Sequence, residues 1–275
     1  MKTGGPASVS IERVAETAST NADLLAWARG VDAAVALAPR ALVAERQTAG
    51  RGRLGRRWEA APGASLTFSL AWPLAAGVDL SGLSLAVGAT LADILDPRPG
   101  AGLRIGLKWP NDLWLVGPEE PGRKLAGVLI ETVPRGETRV VVIGIGVNLL
   151  AQRVESAATG VAWLAEIDPG AAQPPAGLPE RLVAALAAAL HRFEREGFAA
   201  FAAAFAARDL LRGHPVRCAA GAGTRHEGIA DGISASGELL LRTPCGTQRI
   251  GSGEVSVRLD ADRSAAAPRP AGAPC

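Results

Sequence analysis

Lysine, asparagine, tyrosine and cysteine are the scarce residues of this 275-residue chain. Of its 29 basic residues three are lysines and 26 arginines; there are three asparagines and no tyrosine. Such a skew points to the composition of the coding DNA, under which arginine stands wherever any cation serves. The lysines and asparagines that persist are therefore candidates for positions that need those groups. All but Lys2 fall in distinctive segments: Asn21 in ASTN, Lys108 and Asn111 in LKWPNDLWL, Lys124 in RKLAGVLIE and Asn148 in GIGVNLL. The three cysteines, Cys218, Cys245 and Cys275, are odd in number and lack C-x-x-C spacing. Neither a disulfide framework nor a zinc site is expected, and the compartment is expected to be reducing. The first residues hold no apolar core of a secretory signal and no later run reaches membrane-spanning length, so a cytoplasmic protein with no membrane partner is expected. A formal charge of +2 is too small for general electrostatic capture of nucleic acid.

What the chain does have is a loop rich in arginine and glycine, QTAGRGRLGRRW, from Gln47 to Trp58. Gly50, Gly52 and Gly55 free the backbone to approach a ligand closely, and the arginines offer forked donors suited to phosphate or carboxylate. Taken alone, the stretch also reads as an RGG-like segment gripping nucleic-acid backbone, which the low net charge disfavours. Apolar spacing predicts a helix over 22–36 with Ser19, Thr20 and Asn21 as candidate caps. Strands are expected at 41–47 and 65–72 on either side of the loop, then a helix over 80–95. Two short strands follow around Pro110, with Asn111 and Asp112 at the turn. RKLAGVLIETV and TRVVVIGIGVNLL read as a buried antiparallel pair turning at Pro134, Arg135 and Gly136. A proline- and alanine-rich connection at 169–179 precedes two helices separated near Gly197. After Arg212 come short strands with glycine turns, a small β-barrel, and the tail is expected to be disordered. The division expected is 1–211, 212–260 and a tail at 261–275.

In order along nearly the whole chain, GRGRLGRRW, KWPNDLWL, RKLAGVLIE, GIGVNLL and GEVSVRL resemble the biotin protein ligases. The resemblance implies an α+β fold: a mixed, mostly antiparallel sheet packed by helices, like the class II synthetases, with a small C-terminal barrel like Src-homology-3 domains. It also implies activation of biotin by ATP with Mg2+ to biotinyl-5′-AMP, then transfer to a lysine of the biotin carboxyl carrier protein of a carboxylase. Arg53 and Lys124 would be the catalytic residues. Ser19, Thr20, Asn21, Gln47, Gly50, Arg51, Gly52, Arg53, Lys124 and Gly127 would bind biotin. Arg53, Arg56, Trp58, Lys108, Asn111, Asp112 and Asn148 would bind the nucleotide, with Asp112 near a magnesium ion held mainly by phosphates. Arg57 is left as a solvated neighbour.

The chemistry suits these types. A carboxylate attacking an α-phosphate brings two anions together, which fixed cations stabilise. A ureido ring in an apolar slot needs paired donors and acceptors. Plainer readings stand beside these: helix capping for Ser19 to Asn21, core packing for Trp109, wall or core for Trp58, an ordinary turn for Asn111–Asp112 and a surface lysine for Lys124. Many members of the family begin with a winged helix-turn-helix; here ASTN starts at residue 18, so a ligase without operator binding and without a nucleic-acid partner is expected. A homodimer through a sheet edge is a further implication. The rival functions are lipoate or octanoate ligation on a related fold, a biotin-binding regulator without catalysis and, last, an RNA-binding module.

Overall fold

The computed structural model describes residues 9–97, 104–117, 122–152, 160–167, 175–220, 224–251 and 255–259. Seven strands form the main sheet: β1 (Ser10–Thr17), β2 (Arg40–Gln47), β3 (Ser65–Ala75), β4 (Arg104–Lys108), β5 (Asp112–Val116), β6 (Arg123–Arg135) and β7 (Thr138–Asn148). Their order is β1-β2-β3-β7-β6-β5-β4, with β1 parallel to β2 and every other pair antiparallel. β1 was not anticipated, because SIERVAET alternates without an apolar face. It is an edge strand whose acids Glu12 and Glu16 pair with Arg40 and Arg46 of β2, a charged border of the kind that discourages stray strand pairing.

Strand pleating sorts the side chains of the long central strands into two sets. Val141, Ile143, Ile145 and Val147 of β7 join one cluster with Phe68, Leu70 and Trp72 of β3. Helices α2 (Leu83–Leu95) and α3 (Leu178–Glu196) cover that face, contributing Leu83, Leu91, Leu186 and Phe193. Val140 and Val142 point the other way and pack with Ala71, Val133 and Leu24, Leu25 and Ala28 of α1 (Thr20–Gly30). The result is a helix, a sheet and a helix pair in three layers. α1 stops at Gly30 rather than Ala36. The buried Arg135 guanidinium donates to Ala28 O at 2.8 Å, to Val35 O at 3.1 Å and to Asp32 O, drawing the chain after Gly30 onto a non-helical path. α3 is followed, after Gly197, by a 3₁₀ turn at Phe198–Phe201 and the short α4 (Ala202–Ala206).

The far edge of the sheet is closed by the chain itself: Leu107 N donates to Arg208 O at 2.7 Å and Leu210 N to Leu107 O at 3.0 Å. Beyond it, β8 (Pro215–Ala220), β9 (Thr224–Ile233), β10 (Leu239–Thr243), β11 (Gly246–Ile250) and β12 (Val255–Leu259) form a five-stranded antiparallel sheet in the order β11-β10-β9-β8-β12. This small sheet is consistent with the barrel expected there. It docks by backbone contact: a Cβ on Gly237 would stand 2.6 Å from Gly82 Cα, and the Trp109 indole donates to Gly237 O at 3.0 Å. Cys218 is the free cysteine among the described residues. The expected tail at 261–275, and residues 168–174 of the connection, lie outside the described residues.

Arg208 ties the two ends of this closure together, because its guanidinium reaches Asp96 Oδ2 at 3.1 Å and Ile105 O at 3.0 Å. Both partners are buried, their side chains 9% and 5% exposed. Arg208→Ala leaves the Asp96 carboxylate unpaired and is expected to lower unfolding stability by about 3 kcal/mol in denaturant titration. Arg46→Ala, which breaks an exposed pair, is expected to cost under about 1 kcal/mol by the same measurement. Burial pushes the Cys218 thiol up to about 11. Native protein near neutral pH is therefore expected to leave Cys218 unalkylated, and denatured protein to label it, as read by peptide mass.

Candidate active site

On the face that carries α1, the bulky residues of β7 run out. After Val140 and Val142, the same side presents Gly144, Gly146 and then Asn148. Neighbouring strands supply Gly127 opposite Gly146, and Ser69 and Leu129 opposite Gly144. Where the valines end, a cavity of about 600 Å³ opens, lined from all these strands, the arginine loop and the start of α1. Two side chains lie flat on the bare backbone. A Cβ on Gly144 would stand 2.4 Å from Asn21 Oδ1, and one on Gly146 would stand 2.2 Å from the Trp58 ring. These glycines thus admit Asn21 and Trp58.

At the α1 end a chain of hydrogen bonds runs through the wall. Thr20 donates from N and Oγ1 to Gln47 Oε1 at 2.8 and 3.1 Å, and its hydroxyl meets Ser69 Oγ at 2.7 Å. Ser69 donates to Asn21 Oδ1 at 2.5 Å, Asn21 Nδ2 donates to Glu131 Oε2 at 2.9 Å, and Glu131 receives Arg51 Nη2 at 3.1 Å. Ser19 caps α1 through a 3.4 Å bond from Ala22 N and still borders the cavity. Capping and lining therefore coexist. Ser69 and Glu131 were missed. Ser65, Thr67 and Ser69 alternate with apolar residues along β3, and that period of two was the available signal.

At the opposite end, Lys124 Nζ lies 2.7 Å from Asp112 Oδ1, an ion pair not aligned as a hydrogen bond. The same ammonium stands 5.6 Å from the Trp58 ring centroid, and the buried Lys108 Nζ stands 4.1 Å from that of Trp114. Arg53 Nη1 donates to Asn111 Oδ1 at 3.2 Å, and Asn111 Nδ2 is held by Val128 O at 2.8 Å. Burial and the charge of Arg56 lower the Arg53 guanidinium from its ordinary value, while Asp112 acts the other way. Asn148 Nδ2 reaches Lys124 O at 3.4 Å and its Oδ1 receives Gln152 Nε2 at 3.3 Å.

The arginine loop is itself folded. Trp58 N donates to Gly50 O at 2.9 Å, Gly52 N to Arg56 O at 2.7 Å and Arg56 N to Arg53 O at 3.2 Å. Leu54, at φ 58°, is 48% exposed at the tip. Every site residue that the resemblance implied borders the cavity except Gly50. A Cβ at Gly50 would stand 2.6 Å from Trp58 O, so that glycine closes the loop rather than lining the space. Arg57 also borders the cavity, with Nη2 3.4 Å from Thr48 O, and Trp109 combines a buried ring with a place in the wall. Such a cavity, polar at one end and cationic at the other, suits an elongated ligand with an amide-like head and an anionic tail. Among the described residues, no group of three or more His, Cys, Asp and Glu side chains is placed to hold a metal ion, and no helix is long and apolar enough to cross a membrane.

Residues 31–148 match the biotin/lipoate A/B protein ligase family, and residues 213–258 match the biotin protein ligase C terminal domain. Over 220 residues the chain is 36% identical to the bifunctional ligase/repressor BirA of Escherichia coli, an alignment covering 79% of this chain and 66% of that protein. The chain thus spans just under two thirds of the length of those bifunctional relatives. Over 256 residues it is 33% identical to the biotin--[acetyl-CoA-carboxylase] ligase of Paracoccus denitrificans, covering 88% of this chain and 98% of that one. Among solved structures, the biotin protein ligase from Aquifex aeolicus in complex with biotin and ATP is 29% identical with a TM-score of 0.73, covering 91% of this chain and 99% of that one. With both segments matched and the Paracoccus enzyme aligned almost from end to end, the chain belongs to the biotin protein ligase family.

Proposed function

We propose that the protein joins biotin to a lysine of a carboxylase's biotin carboxyl carrier protein in two steps, activation of biotin by ATP and transfer to the lysine. A biotin carboxylate oxygen attacks the α-phosphorus of ATP, the bond to pyrophosphate breaks, and biotinyl-5′-AMP remains. The carrier's lysine amine then attacks the acyl carbon, loses a proton, and AMP leaves. The observation that carries this reading is the polarity of the one continuous cavity, a hydrogen-bonding wall at Thr20, Asn21 and Gln47 and a cationic end at Arg53 and Lys124.

The ureido head fits the amide and hydroxyl wall, where each unpaired buried polar group would cost about 1–3 kcal/mol. The carboxylate then points toward Lys124. Lys124 stabilises charge on the attacking oxygen and the phosphate, and needs no covalent role. Arg53, Arg56 and Lys108 take the phosphates, with Asn111 and Asn148 orienting the nucleotide. The loop from Gly50 to Trp58 closes over the anhydride and keeps water from it. Among the described residues Asp112 belongs to no group of three or more potential metal ligands, so a magnesium ion beside it would draw most of its oxygens from phosphate and would neutralise charge on the leaving pyrophosphate. Operator DNA has no part in this reading.

Purified protein incubated with magnesium, ATP and an apo carrier domain is expected to add biotin but not lipoate to the carrier, read by intact mass. Lys124→Ala should slow that addition by about 100-fold or more. Arg53→Ala should release free biotinyl-5′-AMP while transfer slows. Lipoate addition would instead assign the protein to the rival ligases, and biotin binding without transfer would make it a regulator.

Gly146→Val gives an independent check. The new side chain must expel the Trp58 ring, so KM for substrate is expected to rise about tenfold or more while the melting temperature changes little. An unchanged KM would remove Trp58 from the site.

A further inference from the structure

Part of the cavity wall beside Lys124 is not a strand of the main sheet. Gly160 and Val161, which border the cavity, run parallel to the start of β6. Lys124 N donates to Gly160 O at 3.2 Å and Ala162 N to Lys124 O at 2.9 Å; farther on, Ala165 N donates to Leu149 O at 3.0 Å. A stretch held by so few backbone bonds opens readily unless side chains hold it.

Arg123, the neighbour of Lys124, supplies that hold. Its Nη1 donates to Val161 O and to Glu166 Oε1, both at 3.0 Å, and its Nη2 donates to Glu166 Oε2 at 2.5 Å. Glu166 Oε1 also accepts Trp163 N at 2.8 Å, so the carboxylate clamps the segment at two points. Gly160, at φ +69°, would bring a Cβ 3.1 Å from Arg123 Cγ, and its bareness lets the arginine stem lie against the turn. The forked geometry and partial burial, 28% and 22% exposed, put this pair above an ordinary surface contact. Burial pushes the Glu166 carboxyl up, but the Arg123 and Trp163 hydrogen bonds and the Arg123 charge more than offset it and hold the group below its usual value. Neither side chain borders the cavity.

We propose that Arg123 and Glu166 are positioning residues that fix the 160–162 wall against Lys124 and thereby set affinity for the nucleotide rather than for biotin. The assignment rests on the reading that ATP occupies the end of the cavity between Lys124 and Asn148.

The test measures KM for ATP and for biotin separately in Arg123→Lys, Arg123→Ala, Glu166→Gln and Glu166→Ala, with melting temperature beside each and ATP binding to the biotin-free protein by calorimetry. The alanine variants are expected to raise KM for ATP by about tenfold with KM for biotin within about twofold and kcat little changed. Arg123→Lys and Glu166→Gln, which keep part of the hydrogen bonding, should fall between. The double alanine variant should be no worse than the poorer single one, as for two halves of one device. Equal rises in both KM values, or losses in kcat that track melting temperature, would reduce the pair to general stability and overturn the proposal. So would unchanged KM values. If wild-type protein binds ATP but transfers no biotin, the functional reading fails while calorimetry on the variants still decides the role of the pair.

Discussion

Everything in the site depends on the pleat of the central strands. A strand offers alternate residues to opposite faces, so β7 can be apolar from Val141 to Val147 toward α2 and α3 while changing character along its other face. That face begins with Val140 and Val142 under α1 and ends with Gly144, Gly146 and Asn148. One substitution of glycine by a larger residue there does more than fill space. It removes the resting place of Asn21 or of Trp58, which sit closer to the backbone than any Cβ permits. The cavity is thus made by omission of side chains in a sheet that is otherwise tightly filled, and the three layers around it keep the omission from collapsing.

The cations of the site are not idle without a ligand. Lys124 faces Asp112, Arg51 faces Glu131 and Arg53 leans on Asn111. A cluster of like charges beside a half-buried cavity would repel itself, and partners of opposite charge or suitable polarity relieve that. In the proposed reaction, anionic substrates replace partners already present. On that reading a phosphate or carboxylate takes over from an internal acid or amide, at donors the fold already holds in place. Such preorganisation lowers the reorganisation that the reaction itself must drive.

Much of this was legible in the sequence, for physical reasons that differ by residue. Lys124, Lys108, Asn111 and Asn148 stood out because lysine and asparagine are scarce and sit in distinctive segments; all four border one cavity. The central strands were visible as apolar runs and the barrel region as short strands with glycine turns. β1 was invisible because an edge strand with charged residues on both faces has no hydrophobic period to read. The end of α1 was misplaced because it is set by Arg135, more than a hundred residues away in sequence, and local helical spacing continues past Gly30 regardless. Glu131 and the Arg123–Glu166 pair were hidden for the same reason: an ion pair between distant segments leaves no local pattern.

The loop from Gly50 to Trp58 shows how an apparently flexible stretch can be prepared for its role. Its composition alone suggests disorder, yet backbone bonds pair Gly50 with Trp58 and Gly52 with Arg56, and Arg51 and Arg57 form a short bridge. Leu54 takes a left-handed conformation that a side chain not branched at Cβ tolerates at a cost, and it does so at the tip, where the chain must reverse between Arg53 and Arg56. A loop already folded loses less entropy when it closes over a ligand than one that must first order itself. Trp58 anchors one end on Gly146 and Arg51 the other on Glu131, so the motion left to the loop is that of its tip. The residues at and beside that tip, Arg53 and Arg56, are those a phosphate would meet.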